Sequence, residues 1–147
     1  MPDKSTREAA LRLKLNPIEE VFEDKRVLLV DDSIVRGATM RRIVKMVRTL
    51  NPKEVHIAIF SPPVRHPCFY GIDMPSHDEL VAASFEEDQV EPMLAKEFRA
   101  DSLTYPSRKG LKQLEGEAIC SACLTGEYPQ KVSADERDYI MSGRRDC

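Results

Sequence analysis

The sequence lacks any excess of basic residues. Its 22 Lys and Arg are outnumbered by 25 Asp and Glu, so the formal net charge is −3. Proteins that bind nucleic acids or anionic membranes need a basic surface patch. The composition therefore predicts neither a nucleic-acid partner nor a membrane partner.

Long apolar runs are also missing. No stretch approaches the roughly 20 consecutive apolar residues of a membrane-spanning helix. Residues 1–12 lack the apolar core of a secretory signal peptide, and the chain has no internal repeat or low-complexity segment. With 147 residues, 41% hydrophobic and 32% charged, we expect a cytoplasmic, globular protein with one real core.

Cysteine is scarce, with four residues in the whole chain. Cys120-Ser-Ala-Cys123 forms a C-x-x-C pair, and Cys68 lies in a His-Pro-Cys turn. Structural disulfides are rare in cytosolic proteins, so these thiols are better suited to binding or exchange chemistry. The spacing alone leaves zinc, an iron–sulfur cluster and redox exchange open.

The strongest chemical signal lies between Lys25 and Met40. Residues 27–30 form an apolar run with β-branched ends, which predicts a strand buried on both faces of a parallel sheet. Two acids follow this strand, and a short loop then leads into an amphipathic helix. Ligands bind beyond the carboxyl ends of parallel strands, and helix N-termini favour anions. The residues of this loop and its acids are Asp31, Asp32, Ser33, Arg36, Gly37 and Thr39.

Taken singly, these residues also suit a solvated turn with ordinary helix caps. An acid pair, two hydroxyls, an arginine and a glycine between one strand and one helix together favour a sugar phosphate. The pattern therefore predicts a phosphate held by the loop, with acids beside it for hydroxyls or a metal.

Hydrophobic spacing predicts the other elements. The apolar stripe from Met40 to Leu50 predicts a helix that ends at Asn51-Pro52 and packs in the core. The strand that follows would complete a right-handed βαβ unit. The other predicted elements are helices over Ser5–Leu15, Ser76–Ala83, Asp88–Phe98 and Ser107–Leu114, and strands over Val55–Phe60 and Leu103–Tyr105.

The stretch from Ser61 to Pro75 is rich in proline and aromatic residues and follows the second predicted strand. It would therefore leave the sheet at the same end as the phosphate-binding loop. Loops at such positions carry binding residues. Arg65, Tyr70 and Asp73 are candidates for the substrate side of the pocket.

Several segments together resemble one enzyme family. V-L-L-V-D-D-S-I-V-R-G-A-T resembles the phosphoribosyl pyrophosphate (PRPP) signature of type I phosphoribosyltransferases, in the version found in the amidophosphoribosyltransferase family. The resemblance continues in L-R-L-K-L-N-P around Lys14, in S-P-P-V-R-H-P-C-F-Y-G-I-D-M-P and in C-S-A-C-L-T-G-E-Y-P. It covers most of residues 1–131.

The resemblance implies an α/β fold, a parallel sheet with helices on both faces as in type I phosphoribosyltransferases. It implies that the core is incomplete and is followed by an irregular C-x-x-C segment. The corresponding parts are a flexible-loop end and connector (1–24), a partial transferase core (25–116) and a C-terminal segment with a tail (117–147).

The implied reaction is the first committed step of de novo purine biosynthesis, in which PRPP and glutamine give 5-phosphoribosylamine, pyrophosphate and glutamate. The resemblance assigns Lys14 to the pyrophosphate, and Asp31 and Asp32 to the ribose hydroxyls and Mg²⁺. The PRPP site as a whole would comprise Asp31, Asp32, Ser33, Ile34, Val35, Arg36, Gly37, Ala38 and Thr39.

One branch of the family holds a [4Fe–4S] cluster, and Cys68, Cys120 and Cys123 match three of its ligands. The fourth ligand is absent from this chain, because Cys147 does not match the remaining position. The resemblance also implies that a glutaminase domain, which would release ammonia from glutamine, is missing here. The complete enzyme is expected to be a homo-oligomer.

Two other functions stay open. The chain could be a PRPP-binding fragment or regulatory module without turnover, although nothing basic enough for a DNA-binding segment precedes the signature. It could also be another type I phosphoribosyltransferase, an alternative that the S-I-V-R-G motif and the C-x-x-C pair disfavour.

Overall fold

A computed structural model of the chain describes residues 17–72, 74, 76–107, 109–110, 113 and 119–141. Within this part, three parallel strands form one sheet in the order β1-β2-β3. The strands are β1 (Arg26–Asp31), β2 (Glu54–Ile59) and β3 (Ser102–Thr104). The parallel sheet predicted from the sequence is confirmed, and each predicted strand is present within two residues of its expected bounds.

Two longer helices connect the strands. Helix α2 (Ala38–Arg48) joins β1 to β2, and α3 (Val90–Phe98), with Pro92 in its first turn, leads into β3. Residues 77–89 form 3₁₀ turns (His77–Glu79, Val81–Ser84 and Glu87–Gln89), where the sequence predicted a short helix. Three shorter helices are α1 (Glu19–Phe22), α4 (Ala122–Thr125) and α5 (Ala134–Met141). None of the described helices is long and apolar enough to span a bilayer.

The main core lies between one face of the sheet and the two longer helices. Alternate residues of β2 point into it, as expected for a strand with one buried face. Helix α2 packs its apolar stripe here, and α3 packs beside it. The fully or nearly fully buried side chains of this core include Met40, Val44, Val47, Val55, Ile57, Ile59, Val90, Leu94, Phe98 and Leu103.

The expectation that β1 is buried on both faces is wrong for this structure. Val27 and Leu29 pack against the core, but Leu28 is 60% exposed and Val30 is 72% exposed on the other face, which we call the outer face. The reason is that α2 and α3 both pack against the same side of the sheet. A continuous apolar run does not reveal whether its second face is covered.

A second, smaller core lies beside the first. It joins Val64, after β2, to Leu80 and to Leu124 of α4. The backbone N–H groups of Arg65 and His66 both donate to the carbonyl of Cys123, at 3.0 and 2.9 Å. The C-x-x-C stretch is therefore attached to the loop that follows β2.

Candidate phosphate-binding site

The acid pair lies at the carboxyl end of β1. The carbonyls of Asp31 and Asp32 accept the backbone N–H groups of Phe60 and Ser61, at 3.0 and 2.8 Å, where the chain leaves β2. One carboxylate oxygen of Asp31 accepts the N–H of Asp32 at 3.0 Å, and one of Asp32 accepts the hydroxyl of Ser33 at 2.9 Å. The other oxygen of each carboxylate has no protein partner in the described part of the chain, so each acid can still accept a ligand's hydrogen bond.

Residues 33–39, which we call the phosphate loop, connect this acid pair to α2. Ile34 anchors the loop, because its side chain is only 3% exposed and belongs to the main core. The carbonyl of Val35 accepts the N–H of Val81 at 3.0 Å, and the carbonyl of Arg36 accepts Nη1 of Arg41 at 3.2 Å. The loop therefore directs these carbonyls toward protein donors.

The backbone N–H groups of the phosphate loop, unlike these carbonyls, have no protein partner among the described residues. Among the described residues, no acceptor is bonded to a backbone N–H of residues 33–39. The last of these N–H groups belong to the first turn of α2, where intrahelical partners are unavailable. That turn has no acidic residue and no capping side chain. The loop and helix end together offer a row of free donors, which suits an anion.

Gly37 is essential to the path of this loop. Its φ of 70° lies in the left-handed region, which side chains other than that of glycine rarely adopt. A Cβ atom at this position would lie 2.9 Å from two ring atoms of Phe98 in α3. The glycine thus lets the loop pass directly over the core and turn into α2.

Two arginines reinforce the loop. Arg36 forms a forked ion pair with Glu79, with its Nε 3.0 Å from Oε1 and its Nη2 3.3 Å from Oε2. The bond from Arg36 lowers the pKa of Glu79 below its usual value. Arg41 pairs with Glu97 and lies over the ring of Phe98, 5.4 Å from its centre.

Sequence reasoning missed the supporting roles of these residues. The spacing of Ser76 and Glu79 indicates only a local capping contact, and the Ser76 hydroxyl does donate to Glu79 at 3.3 Å. The amphipathic pattern of α2 places Arg41 on the polar side of the helix and indicates no partner for it. Phe98 was expected only as the end of a helix. No local pattern could connect them to the loop, because their partners lie far away in the sequence.

The other candidates from the sequence lie elsewhere. Nη2 of Arg65 donates to the carbonyl of Phe85 at 2.8 Å, and the hydroxyl of Tyr70 bonds to the backbone of Gln130. Neither contact involves the phosphate loop. Lys14 and Asp73 lie outside the described residues. Their expected roles at the substrate stay predictions.

The three described cysteines lie on two connected segments. All three are free thiols, and Cys123 is half-buried, which raises the pKa of its thiol, with smaller contributions from Cys68 and Cys120. The sulfur of Cys68 accepts the N–H of Tyr70 at 3.4 Å. Among residues that the structure describes, no group of three or more His, Cys, Asp or Glu side chains is placed to hold a metal ion.

The chain is similar to known proteins over most of its length. The phosphoribosyl transferase domain family matches residues 2–67. An amidophosphoribosyltransferase from Methanocaldococcus jannaschii is 47% identical over 137 residues, covering 92% of this chain and 28% of the relative. One from Pyrococcus horikoshii is 53% identical over 129 residues, covering 86% and 27%. The chain thus spans less than a third of the length of these relatives.

Solved structures agree with the sequence relatives. A structure described as the allosteric regulatory enzyme of purine biosynthesis aligns with a TM-score of 0.75 at 44% identity, covering 92% of this chain and 30% of the other. A glutamine PRPP amidotransferase from B. subtilis, complexed with ADP and GMP, aligns with a TM-score of 0.74 at the same identity and coverage. The parallel sheet and its helices therefore match a known fold.

Proposed function

The chain belongs to the amidophosphoribosyltransferase family, matching its members over as much as 95% of its own length, and from that premise we propose that it binds Mg-PRPP as part of such an enzyme. In the proposed reaction, the nitrogen of ammonia bonds to the anomeric carbon of PRPP, and the bond from that carbon to the pyrophosphate oxygen breaks. The products are 5-phosphoribosylamine and pyrophosphate. Glutamine is the proposed source of ammonia in the whole enzyme.

One observation carries this proposal, namely the free N–H groups of the phosphate loop beside paired carbonyls. A loop of this kind presents donors without reorganisation when the ligand arrives, because the carbonyls of Val35, Arg36 and Gly37 are already bonded to protein donors. The 5-phosphate of PRPP supplies the acceptors that the loop lacks. The hydroxyl of Thr39 can add a donor at the helix end, and that of Ser33 can do so if it turns from Asp32 to the phosphate.

The acid pair is proposed to bind the ribose. Asp31 and Asp32 each keep one oxygen available, and these oxygens can accept the ribose hydroxyl protons. The pair also fits Mg²⁺, which is often bound through one or two carboxylates with substrate oxygens completing its shell. When bound, Mg²⁺ would neutralise charge on the departing pyrophosphate. Asp31 and Asp32 would hold it next to the phosphate loop.

Lys14 is proposed to contact the pyrophosphate from a loop that closes over bound PRPP. A lysine in this position would offset the negative charge that develops as the bond to pyrophosphate breaks. Closure would also exclude water, which could otherwise attack the anomeric carbon in place of ammonia. Assembly into a homo-oligomer is a further expectation for the whole enzyme.

The cysteines were assigned to a [4Fe–4S] cluster by resemblance. Such clusters use four thiolates, whereas Cys68, Cys120 and Cys123 supply three. The described residues also lack a group placed as a metal site. The described residues therefore do not fit the cluster by themselves, and no step of the proposed reaction depends on it.

Anaerobic reconstitution with iron and sulfide tests this conclusion. We expect the chain to bind no stoichiometric iron and to show no absorption band of a cluster, because a ligand is missing. Cys123→Ser serves as the matched control, since it removes one more thiol. Stoichiometric iron in the unsubstituted chain that is lost in the variant would show that a cluster forms after all.

The test of PRPP binding is titration calorimetry with Mg-PRPP. Asp31→Asn combined with Asp32→Asn should abolish measurable binding while leaving the thermal unfolding curve in place, because both acids lie at a solvent-facing strand end. Glu54→Gln is a matched control at the opposite end of the sheet. Unchanged PRPP affinity in the double variant would refute the site. Binding without ammonia-dependent turnover would instead favour the non-catalytic binding module.

A further inference from the structure

A segment after β2 supports the phosphate loop from outside. Leu80 is fully buried in the second core, and this fixes residues 76–81 against the body of the protein. On either side of Leu80, the segment contacts the loop. Val81 donates its N–H to the carbonyl of Val35, and Glu79 forms the forked pair with Arg36. Two successive loop residues are thus bonded to one fixed segment.

We propose that Glu79 is a positioning residue for the phosphate loop, acting through Arg36 to fix the directions of the loop N–H groups. This inference rests on the proposed function and adds a residue that the PRPP signature does not contain. Glu79 would not touch the ligand. Its carboxylate would keep Arg36 in one orientation before PRPP arrives.

The contacts at Arg36 explain why this position matters. Its carbonyl is bonded to Arg41, and its guanidinium is bonded to Glu79. Residue 36 is therefore attached at both its backbone and its side chain, immediately before the left-handed turn at Gly37. Release of the side chain would leave the peptide between these residues freer to rotate. That rotation would turn N–H groups away from the bound phosphate.

The exposure of the pair separates positioning from a structural role. The side chains of Arg36 and Glu79 are 56% and 50% exposed. Exposed ion pairs contribute little to global stability. Loss of Glu79 should therefore change ligand binding without lowering the thermal midpoint. If the contact were merely structural, its loss would change neither the ligand affinity nor the thermal midpoint, or it would lower the midpoint before it affected the affinity.

The test is a double-mutant cycle measured by calorimetry with PRPP and with ribose 5-phosphate. Glu79→Gln should weaken both ligands by about three- to tenfold, a range typical of losing a charge-assisted contact. Glu79→Asp should restore part of the loss. In the Arg36→Gln background, Glu79→Gln should cause no further loss. Glu54→Gln, which breaks the exposed pair with Arg26 at the other end of β1, should leave both affinities unchanged.

A measurement without PRPP distinguishes failure of this inference from failure of the proposed function. ¹⁵N relaxation should show larger backbone motion at Arg36 and Gly37 in Glu79→Gln than in the unsubstituted chain. Unchanged relaxation would overturn the inference, even if the chain does not bind PRPP. Equal or tighter ligand binding in Glu79→Gln would also overturn it, because Glu79 would then be competing with phosphate for Arg36. A loss that persists in the Arg36→Gln background would show that Glu79 acts by another route.

Discussion

The phosphate loop and the cysteine segment, residues 119–130, are built in opposite ways. The loop uses backbone N–H groups from one continuous stretch, supported by the buried side chain of Ile34. The cysteine segment offers two thiols, Cys120 and Cys123, and needs Cys68 from another part of the chain. A binding site made of backbone N–H groups is formed as soon as its own stretch of chain is folded. A side-chain site also requires every contributing segment, and the described residues supply too few ligands for a cluster.

The two regions also differ in their attachment. The phosphate loop lies against the main core, where a Cβ atom at Gly37 would lie 2.9 Å from the ring of Phe98. The cysteine segment lies on the smaller core and is tied down by polar contacts, such as the 2.7 Å bond from the Tyr128 hydroxyl to the carbonyl of Pro67. Regions with few buried contacts open at lower free energy than the global fold. Substitutions in the two regions should therefore have unequal effects.

The largest effect should come from Gly37→Ala. The new Cβ would meet the Phe98 ring and would also disfavour the φ of 70°. Left-handed backbone costs about 1–2 kcal/mol for other residues, and overpacking about 1–3 kcal/mol. We expect a loss of about 2–4 kcal/mol in the free energy of unfolding, measured with urea, together with loss of PRPP binding.

Gly71→Ala is the control for this substitution. Gly71 has a φ of 99°, but nothing lies within 4 Å of the position of its Cβ. It should show the backbone cost alone, about 1 kcal/mol. If Gly37→Ala loses no more stability than Gly71→Ala, the contact with Phe98 does not constrain the loop.

A smaller effect is expected from Tyr128→Phe in the cysteine segment. The variant loses the hydrogen bond to Pro67, which is worth about 1 kcal/mol. PRPP affinity should stay unchanged, while alkylation of Cys123 should become faster, because the segment opens more often. Thiol-labelling rates read by mass spectrometry measure the change.

Tyr105→Phe provides the comparison for this variant. The Tyr105 hydroxyl is buried and has no partner in the part of the chain that the structure describes. Its removal should therefore cost no hydrogen bond. Equal alkylation rates in the two variants would show that the Tyr128 bond does not hold the cysteine segment closed.

Much of the architecture could be predicted from local sequence patterns. The stripe from Met40 to Val47 gave α2, and Asn51-Pro52 marked its end, since Asn51 adopts a φ of 51° after the helix. Ser107 begins a predicted helix, and its hydroxyl accepts the N–H of Gly110 at 3.0 Å, as a capping residue does. These features depend on neighbours within a few residues.

The features that escaped prediction depend on distant partners. The pair between Arg36 and Glu79 joins residues 43 positions apart in sequence. The closeness of Gly37 to Phe98 brings the phosphate loop next to α3, and no periodicity in the helix indicates it. The exposure of Leu28 likewise depends on which face of the sheet the helices pack against. Local sequence patterns predict the helices and strands. The contacts that support the phosphate loop depend instead on how those helices and strands pack together.

The outer face of β1 has a thermodynamic consequence for the chain in solution. Leu28 and Val30, with Phe60 just beyond β2, remain largely hydrated after the described residues have folded. Complete burial of one such side chain releases about 1.5–3 kcal/mol. Folding of the described residues does not gain this free energy of burial. Contact of these side chains with another apolar surface would gain it. Association through this strip of the sheet would therefore be favoured by the burial of these side chains.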